Sequence, residues 1–365
     1  MNSVQLKDLC SVKSSTLKAG DVKNMNPGQY PVYGASGLIA DIDSFQHENP
    51  ALAIVKDGAG FGRVYKTPKK SSVVGTMQFI LPNEDVDRDY LYYVLNHIDF
   101  NKYRSGATIP HIYFKDYSSV QIKKHSLSEQ RIIAEKLDGV TGLIDKSYAE
   151  LEEFDQLVKS RFIEMFGDTN NSMEWPIANV ESIAKVKVGL VIKPTRFYSS
   201  SPTRYKAIRG LNISPFCIND TNWVYFTEDG AKSNKKTEVK ENDVVVVRSG
   251  APGTAAVVTK EYAGSNAIDV LIVEPDLTQI DPTYLCAYTN FPHGLKQISK
   301  GSGGAAQKHF NVEKYKNLTI FIPPLEKQKL FSIEKKEIDK SKLAIQKSID
   351  ELETLKKKLM QEYFG

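Results

Sequence analysis

HSLSEQRIIAEKLDGVTGLIDKSYAELEEFDQLVKSRFIEMFG, residues 125–167, is followed later in the chain by a second version, PPLEKQKLFSIEKKEIDKSKLAIQKSIDELETLKKKLMQEYFG, residues 323–365. The two align without a gap at an offset of 198 residues, pairing Leu127 with Leu325, Gln130 with Gln328, Phe166 with Phe364 and Gly167 with Gly365. Repetition on this scale sets the architecture before any short motif is considered. In the first copy Ile133, Leu137, Val140, Ile144, Leu151, Phe154, Val158, Phe162 and Met165 recur in steps of three and four, which places them on one stripe of a helix. In the second the stripe runs Ile338, Ile345, Ile349, Leu352, Leu355, Leu359 and Tyr363, with Lys, Glu, Asp and Ser on the other faces. Ser128 with Arg131, and Pro324 with Glu326 and Gln328, supply the expected first turns. At about 1.5 Å per residue each copy makes a rod on the order of 58 Å. A lone helix with so wet a surface is marginal, so two in one chain are expected to zip stripe to stripe.

The 365 residues suffice for two to three domains with proper cores. Hydrophobic and charged contents of 41% and 25% are ordinary for a soluble protein, and a net charge of +4 permits a polyanionic partner without demanding one. Cys10, Cys217 and Cys286 stand alone, which argues against structural zinc and against a secreted disulfide scaffold. The N-terminal residues lack the apolar core of a signal peptide and no apolar run reaches membrane-spanning length, so a cytoplasmic location is expected.

Residues 1–125 read as a first globular unit of short strands with few helices. Residues 51–67 form a hairpin turning around Gly58, Gly60 and Gly62, residues 87–98 a helix, and residues 101–124 a Gly/Thr/Pro loop leading into a last strand. After the first long helix (126–167), residues 168–174 are a polar linker, and the second unit (168–323) repeats the plan before the second long helix (324–365). Lys56, Gly58 and Ala59 stand opposite Arg248, Gly250 and Ala251, while Gly106, Ala107, His111 and Tyr117 match Gly304, Ala305, His309 and Tyr315. The second unit carries a longer insert from residue 196 onward. The fold class is α+β, with two mixed α/β domains alternating with two long helices.

No GxxxxGK[ST] loop, HExxH, kinase set, GxSxG elbow or Asn-Pro-Pro-aromatic tetrapeptide is present, and the glycine run at 58–62 sits between strands rather than before a helix. What is present suits nucleic acid, because basic residues interleave with aromatic and small ones in the loops. The candidate DNA-contacting residues of the first unit are Tyr33, Gly34, Ser36, Lys56, Arg63, Lys102, Arg104, Ser105, Gly106, Thr108 and His111. Those of the second are Arg196, Arg204, Tyr205, Arg209, Arg248, Ser249, Ser302, Gly303, Lys308 and His309. Arg209 and Arg248 each follow a strand-like run and precede a glycine turn, a setting from which an arginine can reach a base edge.

Two variable units alternating with two near-identical helices, each helix entered near Pro-Pro-Leu-x-x-Gln, resemble the specificity (S) subunit of Type I restriction–modification systems. The residues that carry the resemblance are IPPLEKQ at 322–328, IKKHSLSEQ at 122–130, GATIPHI at 106–112, and the helix ends MFG and YFG; His125 stands where the family usually has proline. The resemblance implies two target-recognition domains, each reading one half of an asymmetric bipartite site in double-stranded DNA. It implies an antiparallel coiled coil that docks two methyltransferase subunits, with restriction/motor subunits added. S-adenosylmethionine, ATP and Mg are then expected in those partners, with neither cofactor, metal nor catalytic residue in this chain. The rival expectations are an adaptor whose coiled coil binds only protein, and a nuclease or methyltransferase with an unrecognised active site.

Overall fold

The computed structural model describes residues 3–301 and 310–365, and the chain divides into two compact units, Met1–Ala149 with Ile345–Gly365, and Glu150–Ala344. The first is built on a four-stranded antiparallel sheet in the order Cys10–Ser14, Met77–Pro82, Ala51–Val55, Val64–Thr67. A three-stranded sheet of Gly37–Ile42, Pro27–Gly34 and Ser72–Val73 accompanies it, and Ser3–Gln5 pairs with Gln121–Lys123. The second unit has the same plan. Its four-stranded sheet runs Ala184–Val188, Val270–Pro275, Val244–Val247, Ala255–Val257. Its three-stranded sheet runs Val224–Tyr225, Lys206–Ile208, Asn266–Ala267, and Ile177–Asn179 pairs with Thr319–Phe321. Its insert adds a small hairpin, Ile213–Ser214 with Cys217–Ile218.

The central strand of each four-stranded sheet explains the layering. Successive side chains of a strand point to opposite faces, and Ala51–Val55 and Val244–Val247 are buried along their whole length. Leu52 and Ile54 join the core that contains Tyr90 and Leu91 of the helix Arg88–His97, whereas Ala53 and Val55 join Val32, Ile42 and Val73 of the smaller sheet. Val244 and Val246 likewise join the helix-bearing core, and Val245 and Val247 the core beneath the insert. An apolar run buried on both faces is therefore what each unit needs at its centre.

The repeated stretches form the helices Leu127–Phe166 and Leu325–Phe364. In the first unit Ile133, Ala134 and Leu137 share a core with Leu359, Met360, Tyr363 and Phe364; in the second Val158, Phe162, Met165 and Phe166 share one with Phe331 and Ile338. In each unit the start of one helix meets the end of the other, so the pairing is antiparallel. Polar contacts follow the same register. Tyr148 Oη donates to Glu353 Oε1 (3.1 Å) in the first unit, and Arg161 forms a two-point pair with Glu334 (2.6 and 2.8 Å) in the second. The Arg161 hydrogen bonds hold the Glu334 carboxyl below its ordinary value. By packing, each helix is shared between the units, half of it filling each core.

Two local expectations are corrected. The first helix is capped by Ser126, not Ser128: Ser126 Oγ accepts from Glu129 N (3.4 Å) and Glu129 Oε2 accepts from Ser126 N (2.9 Å), a reciprocal capping box. Leu355 is 43% exposed rather than part of the buried seam. After Ile345, Ile349 and Leu352 the alternating four–three spacing lands on the half-buried Lys356 and returns to Leu359, which leaves Leu355 turned aside. Elsewhere on the stripe Ile133, Leu137, Ile144, Val158, Phe162 and Ile349 are buried, and Val140, Leu151, Phe154, Ile338, Ile345, Leu352 and Leu359 half-buried, as two helices shielding each other allow. Among the described residues no helix is long and apolar enough to cross a membrane.

Candidate nucleic-acid interface

In the first unit the candidate residues collect around the hairpin loop between Ala51–Val55 and Val64–Thr67. The segment 105–111 docks on one side of it: Gly58 N donates to Pro110 O (2.9 Å), Ile112 N to Lys56 O (2.9 Å), and Ser105 and His111 exchange both backbone hydrogen bonds. Gly106 is required within that segment, since its φ is +85° and a Cβ would lie 2.2 Å from Ile109 O. The Asp57 carboxylate accepts from Lys56 Nζ and from His111 Nδ1, both at 2.8 Å. Partial burial pushes that carboxyl up, but the two hydrogen bonds outweigh it and hold it below the ordinary range. On the other side of the loop, Tyr65 Oη donates to Ala35 O (2.9 Å) in the turn that holds Ser36, and the Tyr33 and Tyr65 rings lie 6.3 Å apart. Arg63, Lys102, Arg104, Ser105, Thr108 and Ser36 are exposed, Tyr33, Lys56 and His111 half-buried. Gly34 is buried beneath Ile39 and serves the turn, not the surface.

In the second unit the candidates form two groups. Arg196 lies over the Phe197 ring (4.4 Å) and Arg204 over the Tyr205 ring (4.8 Å), beside the apolar cluster around Phe226. Arg209, Ser249 and Asp269 meet at a concavity of about 360 Å³ whose apolar lining includes Leu211, Val247 and Ile268. Arg209 Nη2 donates to Asn222 O (2.6 Å), and its Nε is buried without a partner. Ser302, Gly303, Lys308 and His309 lie outside the described residues.

Arg248 departs from the base-reading expectation. Its side chain is 14% exposed; Nη1 donates to Asp269 Oδ1 (2.8 Å) and Nε to Phe310 O (3.2 Å), while Phe310 N donates back to Arg248 O (3.0 Å). The backbone bond matches that from Ile112 to Lys56 in the first unit, so this strand end anchors Phe310. Arg248→Ala is accordingly expected to destabilise the second unit by about 1–3 kcal/mol, the cost of removing a donor from the carbonyl of buried Phe310. A changed sequence preference in a DNA-binding selection would show that Arg248 reads a base instead, as the sequence leads one to expect.

The segments around Asp87 and Asp281 are fixed to the long helices by Gln130 and Gln328, which the sequence shows only as a matched pair. Gln130 is fully buried: its carbonyl accepts from Asp87 N (2.8 Å), and its amide donates to His125 O (2.9 Å) and Asp85 O (3.3 Å). Gln328, also fully buried, repeats the arrangement with Asp281 N (2.8 Å), Pro323 O (2.8 Å) and Gln279 O (3.2 Å). Asp87 and Asp281 are themselves the N-caps of the helices Arg88–His97 and Pro282–Asn290. Above each glutamine a tyrosine closes the joint, Tyr90 Oη donating to Lys123 O (2.8 Å) and Tyr284 Oη to Phe321 O (2.9 Å). His125, at the position of Pro323, uses its imidazole against Tyr90 Oη (3.0 Å), and burial pushes its pKa down. The available signal was a glutamine at matched positions on the apolar face of both helices.

Comparison with known proteins agrees with this geometry. A family model described as the Type I restriction modification DNA specificity domain matches residues 1–153 and 174–358. The EcoDI specificity subunit of Escherichia coli, a Type I restriction enzyme, is 27% identical over 159 residues, 43% of this chain and 35% of that protein. The EcoBI specificity subunit, also of Escherichia coli, is 21% identical over 252 residues, 62% of this chain and 53% of that protein. The chain thus spans about a third to a half of the length of these curated relatives. The MjaVIII specificity subunit of Methanocaldococcus jannaschii is 23% identical over 341 residues, 86% of this chain and 78% of that protein. A crystal structure of the Type I restriction–modification S subunit from M. genitalium superposes with a TM-score of 0.64 at 13% identity, covering 100% of this chain and 96% of that one, a likeness of fold. The chain belongs to the Type I restriction modification DNA specificity family.

Proposed function

We propose that the chain is the non-catalytic, sequence-specific specificity subunit of a Type I restriction–modification complex, acting in the cytoplasm. It reads an asymmetric bipartite site in double-stranded DNA, one half by each unit, and its paired helices dock two methyltransferase subunits, with restriction subunits joining them. S-adenosylmethionine, ATP and Mg serve those partners rather than this chain. The observation that supports the reading is one scaffold used twice, with the same sheet order and the same glutamine joint, carrying two different sets of loops. Phosphate contacts position a protein on DNA while base contacts specify. Exposed Arg63, Lys102, Arg104, Arg196 and Arg204 suit the first task. Loops that differ between the units suit the second.

The test is exchange of residues 175–320 for the corresponding segment of a relative, followed by methylation-site mapping in cells. One half of the recognised sequence is expected to change completely while the other stays. A change in both halves refutes independent reading. DNA binding that is weak and insensitive to salt, where each phosphate contact should contribute about −0.9 to the slope of log K against log salt, favours the protein-only adaptor.

A further inference from the structure

Three segments of the second unit run parallel and leave the sheet from one edge. Lys206–Ile208 pairs in parallel with Asn266–Ala267, Leu190 bridges in parallel to Ile268, and Ile268 N donates to Ile208 O (2.8 Å). The residues that follow each segment therefore emerge together: Arg209 to Leu211, Asp269, and Val191 with Ile192. Leu211, 76% exposed, and Ile192, 73% exposed, are more exposed than any other large apolar side chain among the described residues. Lys193 (φ +46°) and Asp269 (φ +50°) both hold the left-handed conformation. Non-glycine residues rarely adopt it, and it concentrates at binding sites. Arg209 adds a buried Nε with no partner at the concavity that Leu211 lines.

Scattered exposed aliphatic residues are ordinary. Leu211, held out at a concavity that Arg209 and Asp269 also line, makes a surface that is apolar and hydrogen-bonding at once, and Ile192 leaves the same end of the parallel segments. The charge of these loops selects the occupant. Residues 191–211 contain Lys193, Arg196, Arg204, Lys206 and Arg209 and no Asp or Glu; Asp220 takes Lys206 (2.6 Å) and Glu228 lies 3.8 Å from Arg204, and the remaining cations suit a polyanion better than a protein face. In a DNA major groove the one apolar group on a base edge is the 5-methyl of thymine, next to adenine's N7 and N6. Resting on the DNA-reading role proposed above, we infer that Leu211 contacts the thymine 5-methyl group in the half-site read by the second unit.

The experiment uses the full chain and the half-site obtained for it by binding selection. Duplexes carry uracil in place of thymine at each position in turn, which removes only the methyl. At one thymine of the second unit's half-site the wild-type protein is expected to lose about fourfold in affinity, the worth of one buried methyl-sized group. Leu211→Ser should bind the thymine and uracil duplexes equally while keeping its thermal unfolding midpoint, because the side chain is exposed. A half-site without thymine, or equal binding of both duplexes by the wild type with sequence selectivity intact, overturns the contact and leaves the DNA-reading role standing. So does a Leu211→Ser protein that still prefers thymine but fails to assemble with partner subunits, which would make the surface a protein contact. Absence of sequence selectivity in the wild type overturns both proposals.

Discussion

Gln328→Leu is expected to lower the stability of the second unit by about 3 kcal/mol, and Gln130→Leu that of the first by a similar amount. Leucine fills nearly the same space but neither accepts nor donates. In the second unit the change leaves Asp281 N and the carbonyls of Pro323 and Gln279 without partners; in the first, Asp87 N and the carbonyls of His125 and Asp85. A buried backbone group without a partner costs about 1–3 kcal/mol, and the apolar burial gained by leucine offsets about 2 kcal/mol of the sum. The disturbance spreads because Asp281 is also an N-cap, accepting from Thr283 N and Tyr284 N, and its carboxylate is hydrogen-bonded by Ser332 Oγ. Hydrogen exchange reads the effect locally: protection of residues 282–290 should fall in Gln328→Leu, and of residues 88–97 in Gln130→Leu. A loss below about 0.5 kcal/mol would mean that water replaces the amide at little cost.

The second large effect concerns Phe162. The side chain is fully buried, and its ring centroid lies 5.0 Å from Phe166, 5.5 Å from Tyr284, 5.2 Å from Phe291 and 5.4 Å from Phe331. Phe162→Ala removes the centre of that cluster and should cost about 4 kcal/mol, within the range for aromatic truncation in a core that cannot collapse. The residue comes from the first long helix yet completes the core of the second unit, so the second unit is not contained in residues 168–323. A fragment of residues 150–344 is expected to unfold cooperatively, whereas 168–323, stripped of Phe162, Phe166 and Phe331, should bind a hydrophobic dye and show no sharp transition. Cooperative unfolding of the shorter fragment, or a Phe162→Ala cost under about 1 kcal/mol, would show that the helix only covers the unit.

The parts of this structure that the sequence announces are those with a period. The stripes from Ile133 to Met165 and from Ile338 to Tyr363 are helical at sight, and the offset of 198 residues reveals the duplicated plan even where strands are two to four residues long. The hairpin around Gly58, Gly60 and Gly62 is equally readable. What stays hidden depends on which residues the fold brings side by side. Arg248 reads as a surface candidate, but Asp269, in the bend just before the neighbouring strand Val270–Pro275, takes its guanidinium. Gly34 sits in a loop-like motif yet is covered by Ile39 from the return strand. Gln130 and Gln328 match in sequence, but nothing local says that their donors, Asp87 N and Asp281 N, lie more than forty residues upstream. The parallel arrangement that sends Ile192, Leu211 and Asp269 off the same end of three segments has no signature in the sequence, because those segments are spread over nearly eighty residues.

The strand Val244–Val247 carries one more consequence, through the identity of its four side chains. Its counterpart Ala51–Val55 alternates small Ala51 and Ala53 with large Leu52 and Ile54, so each of its faces is labelled by size. In Val244–Val247 a slide of one residue exchanges the faces but refills three of the four positions with valine, only the end position receiving Asp243 or Arg248. Composition therefore resists a slipped alignment of this strand only at its ends. Further resistance comes from its connection, where Gly250 and Gly253 hold φ of +84° and +94° and a Cβ on Gly253 would lie 2.8 Å from Ile298. Evolution can rewrite the residues around this turn only while keeping its length. Single-residue insertions between residues 248 and 254 are where a frame error in the sheet would go unpunished by the core and be felt first at the concavity.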